Sequence, residues 1–203
     1  MRDENCIFCK IANGEIPSTA VYEDENFKAI LDLGPAQKGH TLILPKDHYK
    51  DLTEAPEELC ARQYRHLCKR LAEAGYEHYE ISNFARPGFQ AVHNGGYWAR
   101  RPYVGLGPSA HSFSGKGRSW NSQELTGYTL TQEVLSVEDE KVETLMLSLR
   151  TARGADAEFL EANCLKEDID RLMSQGALQK TGRRYRIPED RFFVSDQIIR
   201  ELI

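Results

Sequence analysis

The sequence has no long apolar run and no surplus of positive charge, and each absence excludes a class of protein. No uninterrupted stretch of about 18 apolar residues occurs, so a transmembrane helix is not expected. The first residues, MRDENC, lack the basic-then-apolar order of a secretory signal, which makes the cytoplasm the expected location. Lys and Arg total 26 against 31 Asp and Glu, a formal net charge of -5. Broad binding to nucleic acid, which needs a basic face, is therefore not expected.

Cysteines are few and irregularly spaced, which argues against a disulfide framework. Their number is odd, and reduced thiols are expected in a cytosolic chain. The five positions are Cys6, Cys9, Cys60, Cys68 and Cys164. The first two form a Cys-x-x-Cys pair in CIFCK, which fits half a metal site, a redox pair or chance.

What is present in the first third predicts a short helical turn followed by an antiparallel meander. Residues 19–23 and 27–33 are apolar-rich and flank the polar turn 24–26, and a third short strand covers residues 41–44 before Pro45. A helix then begins near Pro56 and continues to Ala74, because apolar residues recur at helical spacing and Gly75 suits a C-terminal cap.

The remaining two thirds predict one strand, a long irregular stretch and a helical end. The strand lies in HYEISNF, residues 78–84, and the irregular stretch covers residues 85–121, rich in Gly, Arg and aromatics. Helices are expected around Leu145 and around Leu172, and a hairpin around Thr181-Gly182. With a final helix in VSDQIIRELI, this order is typical of a winged-helix-like module.

The segments CIFCKIANGEIP, VYEDENFKAILDL and KGHTLILPKDH together closely resemble the N-terminal half of the histidine-triad (HIT) nucleotide hydrolases. The resemblance implies that Cys6, Cys9 and His48 bind zinc, as they do in zinc-bearing members. It further implies that Asp32 lies where the family's acid holds a nucleotide ribose, with Leu33 beside the base.

The resemblance to HIT proteins ends near residues 59–60, before the family's catalytic segment. The family's nucleophile belongs to a His-x-His-x-His strand, and no two of the six histidines here are two residues apart. Successive imidazoles on one face of a strand are therefore missing. Hydrolysis by the family's mechanism is not expected, and zinc would need a fourth ligand from water or His66.

From about Gln63 the sequence is very similar to HemW-type proteins, the radical S-adenosylmethionine relatives of oxygen-independent coproporphyrinogen oxidase that act as heme chaperones. The markers are AGYEHYEISNFARPG and the segment HNGGYW. The resemblance implies a 4Fe-4S cluster and S-adenosylmethionine, but the family's Cys-x-x-x-Cys-x-x-Cys loop is absent. Most of the barrel is absent as well, leaving one strand at residues 79–83, so radical chemistry is not expected.

A tetrapyrrole remains a candidate ligand of this second region. His93 is a candidate axial ligand, with Tyr97, Trp98 and Tyr103 as neighbours that pack on the ring, and His111 is a second candidate. The alternative is that His93 only holds its loop and the aromatics pack as core. GLGPSA, residues 105–110, matches a dinucleotide fingerprint in letters but lacks the surrounding strand and helix, and is interpreted as a glycine turn.

The sequence thus predicts an α+β chain in which two partial domains meet in one helix. Residues 1–60 form a partial HIT-like meander, residues 61–115 a remnant of a radical S-adenosylmethionine barrel, and residues 116–203 a helical winged-helix-like domain. Three functions stay open: a HemW-like protein of heme metabolism without the cluster, a HIT-related nucleotide or zinc binder, and a fusion product without activity. Unpaired strand edges predict a homo-oligomer or a partly disordered chain, with the C-terminal domain the best folded.

Overall fold

A computed structural model of the chain describes residues 3–35, 39–51 and 54–203, and it divides into two compact units. The first unit is Met1–Cys60 and the second is Ala61–Ile203. Helices and sheets both contribute, in agreement with the predicted mixed class. Within the described ranges, no helix combines the length and apolar character that crossing a membrane requires. The predicted loop between β-strands at residues 35–39 lies largely outside the described residues.

The first unit is a short helix on a three-stranded antiparallel meander, as predicted. Its elements are α1 (Ile7–Ala12), β1 (Ala20–Glu23), β2 (Phe27–Leu31) and β3 (Thr41–Pro45), with the strands in the order β1-β2-β3. Asp24 closes the first turn, because its Oδ1 accepts hydrogen bonds from the backbone N–H groups of Asn26 at 2.8 Å and Phe27 at 2.7 Å. The second strand ends at Leu31, two residues before the predicted end.

A small apolar core fixes α1 on the sheet. Ala12, Ile30 and Leu44 are buried together. The Lys28 ammonium, which is largely buried, donates to the Ile11 carbonyl at 3.1 Å and so satisfies the C-terminal end of α1. This packing holds α1 next to β3 and the residues that follow β3.

The predicted long helix is α2 (Glu57–Glu73), and it ends just before Gly75, the predicted C-terminal cap. Gly75 has φ +79°, in the left-handed region. The Tyr76 N–H reaches back to the Leu71 carbonyl at 2.9 Å, which satisfies one of the last carbonyls of the helix.

The prediction of one continuous strand at residues 79–83 is wrong, because the chain turns back on itself there. Two short strands, β4 (Glu77–Glu80) and β5 (Asn83–Ala85), pair antiparallel as a hairpin. The Glu80 side chain accepts a hydrogen bond from the Ser82 N–H at 3.3 Å, which stabilises the reversal at Ile81-Ser82.

The stretch predicted to be irregular at residues 85–121 contains regular structure. It holds α3 (Val92–Trp98), β6 (His111–Phe113) and β7 (Gly117–Asn121), and β6 and β7 join β8 (Leu130–Val134) in an antiparallel sheet of order β6-β7-β8. Gly117 is required where β7 meets β8, since an added Cβ would lie 2.6 Å from the Glu133 carbonyl oxygen. The strands escaped prediction because they are short and lack alternation of apolar and polar residues.

The C-terminal part forms the largest core of the described chain. Its elements are α4 (Val137–Leu149), β9 (Ala155–Asp156), α5 (Ala157–Asn163), α6 (Lys166–Ser174), β10 (Gln179–Thr181), β11 (Arg184–Arg186), a 3₁₀ helix (Glu189–Val194) and α7 (Ser195–Arg200). The strands pair in the order β10-β11-β9, and the predicted hairpin at Gly182 is confirmed. Ser136 caps α4 in a reciprocal pair of hydrogen bonds with Asp139. The predicted helices at Leu145 and Leu172 are also confirmed, whereas β9 and α5 were not predicted.

Candidate functional sites

The two cysteines of the CIFC pair flank the start of α1, and the histidine predicted to join them follows β3. Cys6 is the N-cap residue of α1 and Cys9 lies in its first turn, where the helix directs both side chains to one end. His48 comes three residues after Pro45, the last residue of β3. Packing of Ala12 against Leu44 holds these two segments together.

The structure brings the three predicted metal ligands into one cluster. One donor atom from each of Cys6, Cys9 and His48 lies within 4.8 Å of the other two. Cys9 Sγ and His48 Nδ1 are 3.2 Å apart. Bond lengths of about 2.0–2.3 Å to sulfur and imidazole place neighbouring donors of a zinc tetrahedron roughly 3.6 Å apart. The three donors therefore lie near the spacing that a zinc ion requires, with the Cys9–His48 pair slightly closer than that spacing.

Electrostatics around Cys6 favour the thiolate that a metal requires. The pKa of the Cys6 thiol is lowered, first because the Cys9 backbone N–H donates to its sulfur, and further by the Phe8 backbone N–H and the Cys9 side chain. Burial and the negative charge of Asp3 oppose the effect. Cys6 is half-buried and Cys9 is buried, so solvent reaches only part of the pair.

The donor set fits zinc and leaves one coordination position to a further ligand. Two thiolates and an imidazole are soft and borderline donors that zinc prefers, and three protein ligands are the number found where zinc keeps an open position. Residues 1–2, 36–38 and 52–53, which the structure does not describe, include no Cys, His, Asp or Glu in the sequence. These segments therefore supply no fourth ligand of the usual types.

Asp32, the predicted ribose-binding acid, is already engaged with a neighbouring imidazole. Its Oδ2 lies 3.1 Å from His40 Nδ1, and its Oδ1 accepts from the Gly34 N–H at 3.2 Å. Leu33 is 94% exposed, so its side chain presents an apolar surface to solvent beside the acid. Both residues follow β2, as the sequence indicated.

His93 and Tyr97, predicted to take part in heme binding, lie on one face of α3 and contact each other. Their rings meet edge to face with centroids 4.8 Å apart, and Tyr97 contacts Tyr103 in the same way, also at 4.8 Å. His93 is exposed and Tyr97 is 41% exposed, whereas Tyr103 is half-buried beside Phe113, so the first two rings are open to solvent. An exposed imidazole beside aromatic rings has the chemical groups for an axial contact to a tetrapyrrole.

The other two residues predicted to bind heme are Trp98 and His111. Trp98 ends α3 and is half-buried. His111 is on β6, where its ring stacks on Trp120 at 6.0 Å. His93 therefore contacts Tyr97, whereas His111 contacts Trp120.

Sequence reasoning missed a buried polar group on the β4–β5 hairpin. His78 is 5% exposed and Glu80 is fully buried, and their side chains lie on one face of β4 because they are two residues apart. Tyr64 donates to the Ile81 carbonyl at 3.1 Å, and its hydroxyl lies 3.3 Å from His78 Nε2. The only signal in the sequence was the alternation of polar residues in HYE.

Burial shifts the pKa values of His78 and Tyr64. Desolvation lowers the pKa of His78, although the Ile81 carbonyl and the charges of Glu189 and Glu80 oppose the effect. Desolvation is also the main cause that raises the pKa of Tyr64 above its ordinary value. A neutral imidazole and a neutral phenol are therefore the forms present at neutral pH.

The other cysteines do not fit an iron-sulfur cluster. Burial raises the pKa of the Cys68 thiol on α2 and of the Cys164 thiol at the end of α5. Thiolates are the ligands of such clusters, and the spacing in the sequence matches none of the common ligand loops. Among the described residues, the group of three donors that suits a metal is Cys6, Cys9 and His48.

Comparison with known proteins finds similarity to two families. The HIT domain family matches residues 13–96, beyond the end predicted near residue 60. A HIT-like protein of Methanocaldococcus jannaschii, itself uncharacterized, is 48% identical over 81 residues, covering 38% of this chain and 63% of that protein. The heme chaperone HemW of Mycobacterium tuberculosis is 29% identical over 163 residues, covering 75% of this chain and 42% of that protein.

A solved structure supports the fold of the second region. Coproporphyrinogen III oxidase (HemN) from Escherichia coli, a radical S-adenosylmethionine enzyme, superposes with a TM-score of 0.55 at 14% identity. The match covers 75% of this chain and 43% of that one. The chain spans from 42% to 63% of the length of the curated relatives named above.

Proposed function

Because the chain joins HIT domain sequence at its N-terminus to HemW-like sequence over most of its length, we propose that it is a heme-binding protein that carries a zinc site. The observation that carries the proposal is the ring cluster of His93, Tyr97 and Tyr103, in which His93 and Tyr97 are exposed to solvent. An imidazole with aromatic neighbours offers an axial nitrogen and apolar contacts to a porphyrin face.

The proposed activity is binding without radical catalysis. The cluster loop of HemW-type proteins is missing from the sequence, and the Cys68 and Cys164 thiols are half-buried with raised pKa values. No step of radical chemistry is therefore assigned to this chain. In the same proposal residues 61–115 correspond to the end of a barrel and residues 116–203 to a winged-helix-like domain.

Titration with hemin tests the proposal. The wild-type protein is expected to shift the Soret band of hemin at a one-to-one ratio, and His93→Ala is expected to abolish the shift because the axial nitrogen is removed. His66→Ala is the matched control, since His66 is an exposed histidine on α2. Identical spectra for wild type and His93→Ala would remove His93 from the proposal, and no shift in either would remove heme binding.

The zinc part of the proposal is carried by the distance of 3.2 Å between Cys9 Sγ and His48 Nδ1. When bound, zinc would link the start of α1 to the chain after β3 through Cys6, Cys9 and His48 and would polarise the ligand in its fourth position. The three protein donors would do the positioning, because they are already within 4.8 Å of one another.

Metal analysis of purified protein tests this part. One equivalent of zinc is expected in the wild type, with loss in Cys6→Ser, because zinc with two remaining protein ligands exchanges readily into chelator. Cys60→Ser is the control, a cysteine outside the cluster. Equal zinc contents in wild type and Cys6→Ser would contradict the site.

A nucleotide is the second candidate ligand, supported by Asp32 and Leu33 after β2. Binding of ribose hydroxyls to Asp32 must compete with His40, which lies 3.1 Å from the carboxylate. Calorimetry with a nucleoside monophosphate tests this alternative. Association into homo-oligomers and a cytoplasmic location stay predictions, as does the third possibility of a fusion product without activity.

A further inference from the structure

The imidazole of His48 has a partner at each of its two ring nitrogens. Nδ1 lies 3.2 Å from Cys9 Sγ, and Nε2 lies 3.7 Å from a carboxylate oxygen, Oδ2, of Asp3. The two nitrogens point away from each other, so the thiol and the carboxylate lie on opposite sides of the ring. The side chains of His48 and Asp3 are 25% and 43% exposed, which leaves both partly shielded from water.

Asp3 also shapes the turn that presents the cysteines. Its other carboxylate oxygen, Oδ1, accepts a hydrogen bond from the Asn5 N–H at 2.8 Å. Its backbone carbonyl accepts from the Cys6 N–H at 3.2 Å. With Oδ1 held by the turn, Oδ2 is directed at the imidazole.

We propose that Asp3 is a positioning residue for the metal site: its carboxylate, 3.7 Å from Nε2 of His48, favours the imidazole proton on Nε2 and so keeps Nδ1 unprotonated toward the two cysteines. A neutral imidazole carries one proton on either nitrogen, and a carboxylate at Nε2 favours the form protonated there. The lone pair of Nδ1 is then available to the metal, and the ring is held in the orientation that Cys9 requires.

A role for Asp3 as the fourth ligand does not fit the same contacts. The cluster of donors within 4.8 Å consists of Cys6, Cys9 and His48 and does not include the Asp3 carboxylate. A metal bound by Nδ1 lies on the side of the ring that Asp3 does not face. The carboxylate therefore acts through His48.

Asp3→Asn is the informative substitution because it keeps the turn and reverses the polarity at His48. Its amide oxygen still accepts from the Asn5 N–H, which directs the NH₂ group at Nε2. A donor at Nε2 favours the tautomer protonated at Nδ1, and metal binding must then displace that proton. Glu4→Gln is the matched control, since it removes the charge of an exposed neighbouring acid.

The first measurement is the His48 tautomer in metal-free protein, from ¹⁵N NMR at about pH 8.5, where an ordinary imidazole is neutral. Wild type and Glu4→Gln are expected to be protonated mainly at Nε2, Asp3→Asn mainly at Nδ1, and Asp3→Glu as wild type. A simple loss of the turn would not invert the tautomer. An unchanged tautomer in Asp3→Asn would overturn the inference.

The second measurement is zinc affinity by competition with a chromophoric chelator. Asp3→Asn is expected to weaken binding about 10- to 100-fold, with Glu4→Gln within about twofold of wild type. Equal affinities of Asp3→Asn and wild type would also overturn the inference. The inference rests on the proposed zinc site, but the tautomer is measured without metal, so a wild type that binds no zinc refutes that site while the role of Asp3 is still decided.

Discussion

At the scale of single residues, the molecule combines one open and one closed polar site. Cys6, Cys9 and His48 form a partly shielded cluster in which the donor atoms lie within 4.8 Å of one another. His78 and Glu80 are instead enclosed by the core of the second unit, and one oxygen of Glu80 and Nδ1 of His78 have no hydrogen-bond partner among the described residues. A buried polar atom without a partner costs free energy, so the second site is a source of instability that depends on pH.

His78 is expected to make the protein less stable in mild acid. Burial lowers its pKa in the folded state, so the unfolded chain binds the proton more readily. The free energy of unfolding should therefore fall as the pH drops below about 6.5, the ordinary histidine value, and be regained above it. Urea unfolding at about pH 7.5 and 5.5 measures this slope.

The matched variants for that slope are His78→Gln and His66→Gln. His78→Gln removes the buried imidazole and should flatten the dependence on pH, whatever its effect on stability at neutral pH. His66 is exposed on α2, so His66→Gln should keep the wild-type slope. A slope in His78→Gln equal to that of wild type would show that other groups cause the dependence.

At the scale of elements, positive-φ glycines mark the turns that position short strands. Gly154 lies just before β9 with φ +72°, and Gly182 joins β10 to β11 with φ +59°. A Cβ at Gly154 would lie 2.1 Å from the Tyr185 carbonyl oxygen, whereas a Cβ at Gly182 would have no atom within 4 Å. The two positions share a conformation and differ in the space around them.

Gly154→Ala is expected to destabilise the second unit more than Gly182→Ala. Both substitutions place a side chain in the left-handed region, which costs about 1–2 kcal/mol. Only Gly154→Ala also forces β9 away from β11, since the clash is with backbone of a buried strand residue. Thermal unfolding of both variants measures the difference, and equal losses would contradict it.

Short elements also mark where prediction from the sequence failed. The hairpin of β4 and β5 was predicted as one strand, because HYEISNF contains no Gly or Pro, and its Ser82-Asn83 pair alone was not taken as a reversal. The turn instead depends on the Glu80 carboxylate and the Ser82 N–H. A turn stabilised by a strand's own side chain has no signature in the pattern of apolar residues.

At the scale of the whole molecule, the two units differ in the size of their cores. In the part of the chain that the structure describes, the first unit buries Ala12, Ile30 and Leu44 together, and the second buries a cluster of fifteen side chains that includes Leu160 and Phe192. Stability grows with buried apolar surface, so the second unit should be the more stable one.

Amide hydrogen exchange tests this difference directly. Amides of α4 and α6 are expected to exchange far more slowly than those of β1 to β3, because opening a small core requires less free energy. Excess zinc should slow exchange in α1 and β3 while leaving α4 unchanged, since ligand binding stabilises the unit that binds. Faster exchange in α4 than in β2 would contradict the assignment.

The sequence by itself determined the family relationships, the meander, the long helix and the identity of the three metal-binding candidates, since these rest on local pattern and on motifs. Only the tertiary structure decided that His48 meets Cys9 across 39 positions, that Asp3 faces the far side of the imidazole, and that His111 contacts Trp120 rather than joining His93 and Tyr97. Periodicity reports which face of an element is buried. It carries no information about which distant side chains that burial brings together.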